Sequence, residues 1–135
     1  MTTLRLETEH GTTLTNPSSG QIAQALSSLD GKSNAFAILA RADQVYVQTS
    51  GSGSSGFVLE YRDGDEASHF QASNKSLPLD VIQDVFEKYA EGDSAWKESL
   101  VWEPLSAGEI RVPAKWLVAA VMAALAAIAW VAVAA

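Results

Sequence analysis

The feature that most constrains this chain is its C-terminal segment, 116–135 (WLVAAVMAALAAIAWVAVAA), which has no charged residue and no hydrogen-bonding side chain except two indoles. At about 1.5 Å per residue, a helix of this length would extend roughly 30 Å, the thickness of the hydrocarbon core of a bilayer. The segment has no glycine or proline, and no polar face that could point at water. The sequence therefore predicts a C-terminal transmembrane helix. The residues that we assign to the anchor are Trp116, Leu117, Val118, Val121, Leu125, Ile128 and Trp130.

Basic residues occur only on the N-terminal side of this segment, at Arg111 and Lys115. The positive-inside rule then predicts a single-pass membrane protein whose N-terminal head stays in the cytoplasm. The N-terminus has no apolar stretch of the kind found in secretory signals, so we expect a tail-anchored topology. Two alternatives remain open. One is a buried core helix, which a head of this size could hardly surround, and the other is a helix that pairs with copies of itself.

The remaining chain alternates between strand and helix signals, and we divide the protein into a head domain (1–105), a juncture (106–115) and the anchor (116–135). Short apolar or alternating runs bounded by turn residues predict strands. A polar cap beside a proline, and a glycine after an amphipathic run, mark helix starts and ends. The predicted strands are near 4–7, 36–40, 45–49, 57–61 and 68–72, with a hairpin arm at 12–15, and the predicted helices follow Ser18 and Pro78. We expect an α+β head whose antiparallel sheet of about four to five strands carries two helices on one face.

Composition excludes several classes of function. With 16 acidic and 9 basic residues, the formal net charge of −7 argues against a nucleic-acid partner. The chain has no cysteine, which rules out disulfides, zinc–thiolate sites and thiol nucleophiles. The run SGSGSSG (50–56) has neither the lysine nor the following helix of a phosphate-binding loop, so it predicts a flexible hairpin loop instead.

No motif predicts catalysis, a metal site or a cofactor. The two histidines, His10 and His69, are fewer than a metal site normally needs, and only Asp65 and Glu66 lie near His69 in sequence. There is no GxSxG nucleophile elbow and no marked carboxylate pair. We therefore assign no catalytic residue and expect a protein that is not an enzyme. An enzymatic alternative would have to depend on a residue such as Glu60 or His69.

Negative charge is concentrated in 78–109, which contains eight acidic residues and two lysines, together with the aromatic residues Tyr89, Trp96 and Trp102. Such charge steers a basic partner, and aromatic side chains mark interface hot spots. The sequence thus predicts a surface that binds a basic protein. Its assigned residues are Glu87, Glu91, Asp93, Trp96, Glu98 and Trp102. The alternative left open is that both tryptophans belong to the core and that the acids only keep the protein soluble.

Four runs of the head resemble a known group of proteins: FAILARADQVYVQTSG, GFVLEYRDG, HFQA and LPLDVIQDVFEKYAEGDSAWKESLVWE. Over roughly 2–105, this pattern resembles small bacterial immunity proteins, most nearly the Imm1-like group. The resemblance implies a non-catalytic inhibitor that binds a cognate toxin, often a nuclease or deaminase, and it implies the bacterial inner membrane for the anchor. Known members are soluble, so the predicted anchor departs from their pattern.

These observations give two expectations for function. The first is a tail-anchored interaction module, of the immunity type, that binds a basic protein through its acidic and aromatic surface. The second is a membrane-anchored sensor of a small molecule or nucleotide, in which Ser50 to Gly56 and the sheet face would form the pocket.

Overall fold

The computed structural model describes residues 3–105, which form a seven-stranded antiparallel sheet with three α-helices. In chain order, the elements are β1 (Arg5–Thr8), β2 (Thr13–Thr15), α1 (Ser19–Ser27), β3 (Phe36–Ala42), β4 (Val45–Ser52), β5 (Gly56–Asp63), a 3₁₀ turn (Glu66–Ser68), β6 (His69–Ala72), α2 (Leu79–Glu91), α3 (Ala95–Glu98) and β7 (Trp102–Pro104). The strand order across the sheet is β2-β1-β3-β4-β5-β6-β7. Every neighbouring pair is antiparallel, with α1 lying between β2 and β3 in the chain.

The predicted α+β class and antiparallel sheet are confirmed, whereas the expected four to five strands are too few. The strands beyond the expected five are β2, which the sequence predicts only as a hairpin arm, and β7, whose three residues pair with β6. In the sequence, this segment has the aromatic and apolar residues of a core cover, but no alternation long enough to indicate a strand. The short helix α3 was likewise not predicted, because four residues carry no helical period.

The start of α1 and the end of α2 lie where the sequence indicates, whereas α1 ends at Ser27, before the Asp30-Gly31 stop that the sequence predicts. Ser18 caps α1 through a capping box, in which its Oγ accepts from the Gln21 amide at 3.2 Å. The Gln21 side chain accepts in return from the Ser18 amide at 2.9 Å. Gly92 follows α2 with a φ of 81°, and the Asp93 amide donates to the Lys88 carbonyl at 2.9 Å. This is the left-handed helix termination that glycine adopts most readily.

The main core lies between one face of the sheet and the helices. On the sheet side, Leu6, Leu39 and Val47 are in register across β1, β3 and β4, and all three are fully buried. The buried side chains of all three α-helices join this same cluster. They are Ile22 and Leu26 from α1, Ile82, Val85, Phe86 and Tyr89 from α2, and Trp96 from α3. The helices therefore cover one face of the sheet, as the sequence predicts.

The predicted membrane anchor (116–135) and juncture (106–115) lie outside the described residues. Among residues 3–105, none of the helices combines the length and the hydrophobicity that a membrane crossing requires.

Candidate functional site

The face of the sheet opposite the helices carries an array of polar side chains. Directly opposed residues on antiparallel strands project to the same face, so the register places these side chains in rows. Tyr46, Arg62 and His69 form one row across β4, β5 and β6. The next row contains Gln48, Glu60 and Gln71. We call this set, together with Ser50, the polar sheet face: Tyr46, Gln48, Ser50, Glu60, Arg62, His69 and Gln71.

The centre of the polar sheet face is removed from water, although the helices of residues 3–105 bury their side chains on the other face. Gln48 and Ser50 are each only 3% exposed. The side chains of Glu60 and His69 are 15% and 20% exposed, which is low for groups that can carry charge. Beside them, Phe36 and Ile38 pack with Tyr46 in a small apolar cluster. The face is thus a polar patch bordered by an apolar one.

Four buried atoms on this face have no hydrogen-bond partner in the part of the chain that the structure describes. They are Gln48 Oε1, Ser50 Oγ, Arg62 Nε and His69 Nε2. A buried polar group left without a partner costs about 1–3 kcal/mol, so native proteins keep few of them. Since these four lie on three adjacent strands and project from one face, we regard the polar sheet face as the candidate binding site.

The charges on the face are arranged around Tyr46. His69 Nε2 lies 3.8 Å from Glu60 Oε1, which is too long for a hydrogen bond. The rings of Tyr46 and His69 meet edge to face, with centroids 6.3 Å apart. Burial, aided by the negative charge of Glu60, raises the pKa of Tyr46 to about 12. The Tyr46 hydroxyl therefore stays protonated at neutral pH and can donate a hydrogen bond.

The acidic residues that the sequence assigned to a partner surface are exposed. Glu87 and Glu91 lie on α2, Asp93 follows Gly92, and Glu98 ends α3. Two lysines of the same region are engaged elsewhere: Lys88 Nζ lies 3.0 Å from Asp84 and Lys97 Nζ lies 3.6 Å from Asp63. The four assigned acids are therefore placed where they can attract a cation from solution.

The two tryptophans of the predicted surface belong to the folded core. Trp96 is 4% exposed and joins the main cluster, which favours the alternative that it belongs to the core. Trp102 is half-buried, and its indole N–H donates to the Lys97 carbonyl at 2.9 Å. Its ring meets Tyr61 and Trp96 edge to face, with centroids 4.7 and 5.8 Å away. Trp96 thus lies in the core, and Trp102 packs against it.

A separate cleft of about 300 Å³ lies between the β1–β2 hairpin and α1. It is lined by Thr8, His10, Thr12, Leu14, Gln21, Gln24, Ala25, Ser28 and Asn34. Asn34 joins two sides of the cleft, because its Oδ1 accepts from the His10 amide and its Nδ2 donates to the Ser28 carbonyl, each at 3.2 Å. The cleft offers neutral hydrogen-bonding groups to a small polar molecule.

The sequence predicts a flexible hairpin loop over the glycine- and serine-rich run 50–56, whereas the structure places 50–52 in β4 and Gly56 in β5, so that the connection itself is only 53–55. β4 continues to Ser52 and β5 begins at Gly56, and the Ser52 and Ser55 hydroxyls are 2.8 Å apart. A side chain at Gly51 would collide with the Gly56 carbonyl oxygen, which explains the glycine there. The cleft beside α1 is not lined by this run.

One pattern in the sequence, the alternation of polar and core residues, points to the polar sheet face. Polar residues alternate with core residues along β4, where Gln48 lies between Val47 and Thr49, and along β5 and β6. Alternation of this kind indicates a two-sided sheet. It does not reveal that the polar atoms are buried and unpartnered, because that depends on side chains from three different strands. Among the described residues, no three histidine or carboxylate side chains converge into a metal site.

Comparisons of the chain with protein-family models, with curated proteins and with solved structures gave no match.

Proposed function

We propose that the protein is a non-catalytic interaction module whose polar sheet face binds another protein. The observation that carries this proposal is the set of four unpartnered, buried polar atoms on one face of the sheet. A partner that supplies the missing donors and acceptors would remove a cost of about 1–3 kcal/mol for each of them. The free energy of binding would thus be lowered by the removal of a desolvation cost that the free protein already carries.

The partner is a basic protein. The chain has a formal net charge of −7, and Glu87, Glu91, Asp93 and Glu98 are exposed. Charges of this kind act over several ångströms and mainly accelerate the encounter, whereas buried groups determine how long the complex lasts. The resemblance to bacterial immunity proteins favours a toxin as the partner.

The segment 116–135 would hold this module at a membrane, with the head on the cytoplasmic side. Its length and lack of charge support this part of the proposal. Deleting 116–135 should move the protein from the membrane pellet to the soluble fraction, and Leu125→Arg should cost about 2.5–3.5 kcal/mol of insertion free energy. Release of the full chain by alkaline carbonate would contradict the anchor.

The interaction is tested by capture of the full chain from its native cells in mild detergent, followed by mass spectrometry. The expected result is one stoichiometric basic protein. Binding kinetics of that protein then separate the two surfaces. Reversing the charges of Glu87, Glu91 and Asp93 should slow association and weaken its salt dependence, while Gln48→Met should speed dissociation. A captured partner whose rates respond to neither change would disprove the role given to these surfaces.

The cleft beside α1 favours a second candidate function, the sensing of a small neutral molecule. Its volume and its lining of threonine, glutamine and asparagine side chains suit a polar metabolite. A ligand at about 100 times its dissociation constant should add roughly 2.7 kcal/mol of stability. Thermal shift of the full chain against a metabolite panel tests this, and Ala25→Leu, which narrows the cleft, should abolish any genuine shift. A panel without a single shift would count against the sensor.

A further inference from the structure

The acceptors of the polar sheet face form a contiguous group. Gln48 and Glu60 are directly opposed across β4 and β5, and Ser50 follows two residues later on the same face of β4. Within the described part of the chain, Gln48 Oε1 and Ser50 Oγ have no hydrogen-bond partner, and Glu60 contributes a carboxylate that is 15% exposed. Three neighbouring oxygens, one of them charged, suit a group that carries several N–H donors, such as a guanidinium or an ammonium.

The donors lie in the adjacent row. Arg62 and His69 are directly opposed across β5 and β6, and Arg62 Nε and His69 Nε2 lack partners. An oxygen placed above this pair would satisfy both nitrogens. A carboxylate there would be attracted by the Arg62 guanidinium but repelled by Glu60, whose Oε1 lies 3.8 Å from His69 Nε2. A neutral carbonyl oxygen meets the same two donors without that repulsion.

We propose that the polar sheet face receives an arginine or lysine side chain from a loop of the partner, with a backbone carbonyl of that loop accepting from Arg62 and His69. The cation lies between Gln48 and Glu60, where its charge is next to the Glu60 carboxylate. The net charge of −7 likewise favours a positively charged partner. This inference rests on the proposed function and specifies the chemistry of the partner's contact.

The test uses short blocked peptides, so that it does not depend on knowing the partner. Acetyl-Gly-Arg-Gly-amide is titrated into the isotope-labelled full chain in detergent micelles, with acetyl-Gly-Glu-Gly-amide as the matched control. We expect the arginine peptide to shift the NMR signals of 46–50 and 58–62, including the Gln48 side-chain amide, and the glutamate peptide to leave them unchanged. Gln48→Met and Glu60→Gln should each weaken this response by about tenfold, whereas Asp80→Asn, at an exposed position on α2, should not.

Several results would overturn the inference. These are shifts caused by the glutamate peptide, shifts from the arginine peptide confined to α2 and α3, and no response at millimolar peptide. If deleting 116–135 moves the same signals without any peptide, the chain's own segment occupies the face and the inference also fails. Gln48→Met keeps the test informative if Glu60→Gln does not fold. A captured partner whose binding is weakened by Gln48→Met but not by Glu60→Gln would refute this inference and leave the proposed function standing. If the arginine peptide binds as expected but no protein partner is captured, the contact chemistry inferred here stands and the proposed binding of a protein is refuted.

Discussion

Replacing Gln48 by methionine should stabilise the free protein, even though it removes a polar group from the middle of the sheet. Gln48 is 3% exposed and its Oε1 has no partner among residues 3–105, so the folded state carries a desolvation cost that the unfolded chain avoids. Methionine has a similar shape and no such acceptor. We expect a gain of about 1 kcal/mol, which is about 4 °C in Tm for a domain of roughly 100 residues.

The neighbouring residue provides the matched control. Thr49 is 1% exposed and projects to the other face of β4, where its hydroxyl donates to the Val58 carbonyl at 2.7 Å. Thr49→Val keeps the shape but removes a satisfied hydrogen bond, so it should lower stability by about 1 kcal/mol. The two changes are adjacent in sequence and similar in size, yet they should act with opposite sign.

The assay is chemical denaturation of the full chain in detergent, monitored by circular dichroism. The midpoint and slope of the unfolding transition are compared among the wild type and both variants. If Gln48→Met destabilises the protein as much as Thr49→Val, then the Gln48 amide is satisfied in the native state. The polar sheet face would then lose the energetic basis that we give it. Stabilisation combined with loss of partner binding is the pattern expected when function is maintained at a cost in stability.

Three further predictions concern the core, a turn and the acid limit of stability. Phe86 is fully buried, so Phe86→Ala should cost about 3–5 kcal/mol in denaturation midpoint analysis, while Val101→Ala, at a side chain 74% exposed, should stay within about 0.5 kcal/mol. Gly51→Ala should lower Tm by many degrees, because the new Cβ collides with the Gly56 carbonyl oxygen, whereas Gly53→Ala meets open space and should leave Tm nearly unchanged; equal effects would refute the tight turn. Hydrogen bonds from the backbone amides of Asn34 and then Lys32 hold the pKa of Asp30 below its ordinary value of 3.8. The Asp30 carboxylate thus contributes stability above that pH, and the contribution is lost as pH falls through the lower folded-state pKa. Acid titration of Asp30→Asn should show a shallower loss of stability below about pH 4 than the wild type does, and identical curves would contradict the assignment.

The sequence was most informative where one local rule determines the structure. Ser18 and Gly92 predict the helix boundaries, because capping and left-handed termination depend on a few adjacent residues. The central strands were found from short apolar runs between turn residues. These features need no knowledge of distant parts of the chain.

The sequence was least informative where the outcome depends on tertiary contacts. Trp96 lies in an acidic, aromatic segment that is typical of an interface, yet it packs against Tyr61 and Tyr89 in the core. The strand β7 forms because Trp102 has a partner in Ala72 on β6, far away in sequence. In the same way, the sequence around Gln48 indicates only a polar residue in a strand, and it is the strand register that places Glu60 opposite it.

Within the described residues, the sheet narrows towards both sides: β4 and β5 have eight residues each, whereas the outermost strands, β2 and β7, have three. A three-residue strand exposes few free backbone groups, so it is a poor template for the addition of another strand. This taper protects the protein against edge-to-edge aggregation. It also disfavours recognition by strand addition, which needs a long free edge. A partner that binds this sheet is left with its broad surface, where selectivity comes from side chains and not from the backbone.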